Sequence, residues 1–142
     1  MTAILNPYLN FRGTAREAMT FYESVFGGEL TMSTFTELGA EVADADKDLI
    51  MHAQLEAPGG INLMGADIPS HMDSDARAKF SNFSVSLSGD SGDQLRGYWE
   101  KLAVGATITE PLTLAPWGDS FGMLDDRFGV SWLVNISGTP AA

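Results

Sequence analysis

Between Thr14 and Phe26 the apolar residues fall at Ala15, Ala18, Met19, Tyr22, Val25 and Phe26, the i, i+3, i+4, i+7 spacing of one helical face. This predicts a helix over 14–26, opened by a capping box of Thr14 with Glu17 and stopped at Gly27 or Gly28. A second run, Leu95, Tyr98, Trp99, Leu102 and Ala103, has the same spacing, with Ser91 and Gln94 as its capping box and Gly105 at its end. At an offset of 77, Phe21-Tyr22-Glu23 fall on Tyr98-Trp99-Glu100, Val25 on Leu102 and Gly28 on Gly105. Any two amphipathic helices can be slid into some register, but the segments around these two repeat as well. A strand pattern precedes each helix (5–11 and 80–88) and three follow it: 29–36, 49–57 and 61–66 in the first half, 107–114, 120–124 and 130–136 in the second. Turns at Pro58-Gly59-Gly60 and Asp126-Arg127-Phe128-Gly129 precede the last strand of each half. The expectation is an α+β domain of two tandem β-α-β-β-β modules, about 1–70 and 78–138, produced by duplication.

Side chains alternate between the faces of a strand, so parity divides each strand into two sets. Leu5, Leu9 and Phe11 oppose Asn6, Tyr8 and Asn10; Phe83, Val85 and Leu87 oppose Asn82, Ser84 and Ser86; Met51, Ala53 and Leu55 oppose His52, Gln54 and Glu56. The apolar sets are expected to pack on the helices. The polar sets would then line the inside of two curled sheets, around a cavity where a ligand would bind.

Composition narrows the classes of function. At 142 residues and 44% hydrophobic, the chain suits one well-buried domain and is neither disordered nor collagen-like. A formal charge of −11, spread over both halves, disfavours nucleic acid and anionic membrane surfaces as partners. No apolar run is long enough to span a bilayer, and MTAILNPYLNF does not resemble a secretory signal. The absence of Cys removes disulfides, thiolate metal sites and Cys nucleophiles, and is compatible with a cytoplasmic location.

Together the paired β-α-β-β-β pattern, FYESVFGGEL at the end of the first helix and DDRFGVSWLVNI near the C-terminus resemble the vicinal-oxygen-chelate superfamily. That superfamily holds glyoxalase I, fosfomycin and bleomycin resistance proteins and extradiol dioxygenases. More narrowly, NPYLNF, MHAQLEAPGGINLMGAD and DRFGVSWLVNI resemble its PhnB-like subgroup, whose members also carry the label of demethylubiquinone methyltransferases. The sequence offers that label no Gly-rich strand-to-helix turn of the kind that cradles a nucleotide-like cofactor. The resemblance implies a divalent metal held by His or Glu at four strand positions, with open sites where substrate oxygens chelate. Those positions map to Asn6, Met64, Asn82 and Leu133. Two amides, a thioether and an aliphatic chain are a poor set for a divalent ion, so the usual metal site is expected to be missing and no cofactor is expected. The resemblance also implies a homodimer, which sedimentation equilibrium would read directly.

The candidate site therefore rests on His52 and Glu56, as catalytic groups or an alternative metal pair, with Asn6, Tyr8, Gln54, Met64, Asn82, Ser84, Trp117 and Leu133 as ligand contacts. His52 has two readings: a general acid or base, or a histidine hydrogen-bonded within a polar surface. Trp117 has two as well, a wall of the cavity or a ring packed on Phe121 or on a neighbouring subunit. Tyr22, Trp99 and Trp132 have core parity, while His71 falls in an exposed loop. The acidic run from Glu37 to Asp48 is expected to be solvated, lacking the spacing of an EF-hand. GDSGD and PGG read as turns. Small-molecule binding without turnover, a lyase, isomerase or dioxygenase of glyoxalase type, and a scaffold without ligand are all compatible with this reading.

Overall fold

The computed structural model describes residues 5–70 and 83–138. The chain divides into two compact units at residues 81 and 82, and each has the same architecture. In the first unit β1 (Tyr8–Phe11) leads to α1 (Ala15–Phe26), followed by β2 (Glu29–Thr34), β3 (Ile50–Ala57) and β4 (Ile61–Asp67). The second unit repeats this with β5 (Val85–Gly89), α2 (Gly92–Leu102), β6 (Thr107–Leu114), β7 (Ser120–Asp125) and β8 (Ser131–Ile136). Each sheet is mixed, in the orders β1-β4-β3-β2 and β5-β8-β7-β6, with β1 parallel to β4 and β5 parallel to β8. Among the described residues, two open four-stranded sheets, each with one α-helix, establish the α+β class.

The predicted helix faces are the buried ones. Ala15, Ala18, Met19, Tyr22, Val25 and Phe26 on α1 pack toward β2, β3 and β4, and Leu9, Phe11, Ala53, Leu55 and Leu63 complete that core. In the second unit Leu95, Trp99 and Leu102 join Leu124, Trp132, Val134 and Ile136. Tyr22, Trp99 and Trp132 are core residues, as parity predicts. Both hairpin turns form. In the three-residue loop between Ala57 and Ile61, Gly59 and Gly60 each have positive φ, a conformation that glycine adopts without strain, and Gly129 supplies it in the second unit. The edge strand β6 is blunted by Pro111 and by two register shifts, which disfavour pairing with another strand.

Several local expectations give way to longer-range ones. Neither Thr14 nor Ser91 makes a side-chain cap. At α1 the orphan N–H of Ala15 is taken by Asp67 Oδ1 at 3.0 Å, from the far end of β4. At α2 the Gln94 amide donates instead to the Tyr98 hydroxyl at 2.7 Å, which leaves that ring only half-buried. The reciprocal pattern of a capping box occurs elsewhere, in the turn after β2, where Thr34 N donates to Glu37 Oε1 and Glu37 N to Thr34 Oγ1. The bond from Thr34 N, and after it the Thr34 hydroxyl beside the carboxyl, hold Glu37 below the usual range.

The first strand begins at Tyr8 rather than Leu5, because Pro7 has no N–H to donate, and Leu5 is 99% exposed rather than packed on a helix. The strand expected over 80–88 is observed at Val85–Gly89, with Phe83 exposed ahead of it; Phe80 lies outside the described residues. Met51 was expected to face the helix, yet it is 37% exposed while Ile50 is buried. A register shift between β2 and β3 pairs Ser33 with His52 and Thr34 with Ile50, so Met51 is an extra, bulged residue. In the acidic segment Asp46 is buried, accepting from the amide and hydroxyl of Ser70, so that part of the loop is a fixed structural clasp.

Candidate functional site

The face of the first sheet turned away from α1 is built from alternate residues. Register places Tyr8 of β1, Met64 of β4, Gln54 of β3 and Thr31 of β2 in one row across it. His52 and Glu56 lie on either side of Gln54 along β3, while Ala53 and Leu55 between them are buried against the helix. Tyr8, 41% exposed, reaches across to His52: its Oη is 3.4 Å from Nδ1, with the ring centroids 6.0 Å apart and tilted by 36°. The Gln54 amide donates to Glu56 Oε1 at 3.0 Å. Asn6 is half-buried just ahead of β1, next to Pro7, whose carbonyl accepts from Met64 N. The structure thus brings Tyr8 and His52 into contact and places Gln54, Glu56 and Met64 on the same surface.

Burial raises the Tyr8 hydroxyl above its ordinary value. A phenol with a raised pKa in the folded state contributes stability that is complete below about 10, the unfolded value, and is lost as pH rises through the folded one. Tyr8 is therefore a neutral donor at pH 7. A spectrophotometric titration of the three tyrosines, compared with Tyr8→Phe, should assign to Tyr8 a transition later than that of a free phenol. A Tyr8 transition at or below the free value would contradict it.

In the second unit the corresponding face carries Ser86, Leu133 and Met123 in one row and Ser88, Asn135 and Phe121 in the next. The side chain of Trp117, 63% exposed, meets Phe121 edge-on at 5.9 Å, one of the contacts that its sequence allowed. Asp119 accepts from Asn135 Nδ2 at 3.0 Å and from Gly138 N at 2.8 Å, and these bonds lower its pKa. Ser84 is exposed immediately before β5 and Leu133 is half-buried within β8. Asn82 and His71 lie outside the described residues. Phe121, Met123 and Asn135 were missed as members of this face, although the alternation with Gly122, Leu124 and Val134 would have placed them there.

Strand pairing also revises how the two halves correspond. With Met64 and Leu133 as equivalents, their partners Tyr8 and Ser86 correspond, which makes Ser84 rather than Asn82 the counterpart of Asn6. Three residues separate β1 from α1 but only two separate β5 from α2, so an offset read from the helices does not hold in the strands. Neither set suits a divalent metal: amide or hydroxyl, thioether and aliphatic chain replace the imidazoles and carboxylates such an ion needs. Among the described residues no three His, Asp or Glu side chains gather where an ion could sit.

A family model described as 3-demethylubiquinone-9 3-methyltransferase matches residues 3–135. The chain belongs to this PhnB-like family. Among similar chains of known structure, protein PA1353 from Pseudomonas aeruginosa is 37% identical, with a TM-score of 0.84 over 97% of this chain and 100% of that one. The PhnB protein from Bacillus cereus is 26% identical, with a TM-score of 0.72 over 95% and 100% of the two chains. Protein YjdN of Escherichia coli (strain K12) is 28% identical over 93% of this chain and 94% of its own length. A glyoxylase/bleomycin resistance protein/dioxygenase domain from Frankia sp. EAN1pec, 17% identical with a TM-score of 0.67 over 99% and 96%, shares the fold. The PhnB-like chain thus has the glyoxalase-type fold of the vicinal-oxygen-chelate superfamily.

Proposed function

We propose that this PhnB-like protein binds a small organic molecule on the polar face of its first sheet, with Tyr8 and His52 as the principal contacts and without a metal at the superfamily positions. The observation that carries this reading is the Tyr8–His52 contact: a neutral phenol within 3.4 Å of an imidazole, both reachable from solvent. With Tyr8 donating to Nδ1, the other ring nitrogen carries the proton and presents a donor, while Gln54 and Glu56 add an amide and a carboxylate beside it. Such a face recognises a ligand rich in hydrogen-bonding groups. Turnover of glyoxalase type would need His52 to move a proton on that ligand.

Methyl transfer, the activity named in the family description, has less support. The N-terminus of α1 already holds the Asp67 carboxylate, which takes the amides of Gly13 and Ala15 that an anionic cofactor group would need.

The test is a thermal-shift screen of a small-molecule library, with hits measured by calorimetry on the native protein, His52→Ala and Tyr8→Phe. His52→Ala removes no buried apolar group, so its melting temperature should stay within about 2 °C while affinity falls about tenfold or more. A variant that binds the same hits as tightly, or one that melts several degrees lower at unchanged affinity, would overturn the reading. Elemental analysis of the same preparation should find less than stoichiometric divalent metal.

A further inference from the structure

Tyr8 and His52 meet across a strand that is neither one's own. Tyr8 is on β1, His52 is on β3, and β4 runs between them, so the two backbones stand roughly two strand spacings apart, about 10 Å. Their contact therefore depends on both ladders at once. Asp67, the last residue of β4, is bonded to the chain on each side. Its Oδ1 accepts from Gly13 N at 2.8 Å and Ala15 N at 3.0 Å, just beyond β1, and its Oδ2 accepts from Ile50 N at 2.9 Å, at the start of β3. The carboxylate is buried, and Ile50, two residues before His52, adjoins the bulged Met51.

We infer that Asp67 is a positioning residue for the Tyr8–His52 pair: one carboxylate ties the ends of β1 and β3 to β4 and so sets the reach between phenol and imidazole. The bearing of this on ligand binding rests on the function proposed above. Each carboxylate oxygen faces N–H donors, and Asp is the residue that offers an acceptor in both directions at this length. In Asp67→Asn one side must present an amide donor to a backbone donor, which releases either the β1 end or the β3 end.

The readout is the imidazole 15N shift of Nδ1 in neutral His52 of the full chain. Tyr8→Phe should move this resonance in the native background and move it by less than half as much in Asp67→Asn. An equal movement in both backgrounds, with Asp67→Asn melting lower, would reduce Asp67 to a helix cap and overturn the inference while leaving the proposed function intact. No movement in the native background would remove the pair itself, and with it both the positioning role and the proposed contact. Should Asp67→Asn not fold, Asp67→Glu keeps the charge on a stem one methylene longer. A reduced response there supports the inference, and a full response overturns it.

Discussion

Asp126→Ala is expected to destabilise the protein by about 3–5 kcal/mol, because it strands three donors at once, each worth about 1–3 kcal/mol when left unpaired and buried. Asp126 is the buried carboxylate of the turn before β8. Its Oδ1 accepts from Phe128 N at 2.8 Å and Val130 N at 3.0 Å, which closes the turn, and its Oδ2 accepts from Trp132 Nε1 at 2.9 Å, which anchors the largest side chain of that core. Turn and core are thus joined through one side chain. The expected order of effects follows from this. In a Trp132→Phe background there is no indole N–H to strand, so Asp126→Ala should cost about 1–2 kcal/mol less there. Urea unfolding with unchanged slope would measure both numbers. A loss under about 1 kcal/mol, or strict additivity with Trp132→Phe, would mean that water replaces the carboxylate freely.

Asp126 shows what kind of information the sequence carries plainly. It stands two to six residues from these three donors, and the segment DDRFGVSWLVNI could be read as turn and strand without the rest of the chain. The helix faces and the duplication were legible for the same reason: apolar periods of 3.6 and 2 are local. Asp67 is the opposite case, acting over 52 residues on Ala15 and 17 on Ile50. Ile50 and Met51 are both apolar neighbours at the start of β3, and only one can face the core. Alternation with Ala53 and Leu55 favours Met51, whereas the bond from Ile50 N to Asp67 accompanies the bulge that turns Ile50 inward. Neither capping box forms; at α1 the Ala15 N–H is met by a carboxylate 52 residues away, and at α2 Gln94 turns its amide to Tyr98. For the candidate site, parity placed Tyr8, His52, Gln54 and Glu56 on polar faces. It could not bring Tyr8 to His52, since that requires knowing that β4 runs between their strands.

Gly28→Ala is the second substitution with a large expected cost, about 2–5 kcal/mol, and it separates two reasons for a glycine. At φ +92° the backbone is in the region that costs an L-residue about 1–2 kcal/mol. A Cβ there would also overlap the carbonyl oxygen of Glu56 and stand 2.6 Å from Ala57 Cα, and backbone atoms at the end of β3 cannot swing aside as a side chain could. Overpacking of that kind adds about 1–3 kcal/mol. Gly39, at φ +71° with nothing within 4 Å of a Cβ, carries the conformational penalty alone, so Gly39→Ala should cost about 1 kcal/mol. The difference between the two variants, measured by urea unfolding, is then the cost of forcing the α1–β2 turn away from β3. Because β3 carries His52, Gln54 and Glu56, that displacement should also be felt on the polar face, as a shift of the His52 resonances in whatever fraction of Gly28→Ala remains folded. Equal costs for Gly28→Ala and Gly39→Ala would show that the turn yields without strain, and that the close approach of Gly28 to Glu56 is not what holds the end of β3 in place.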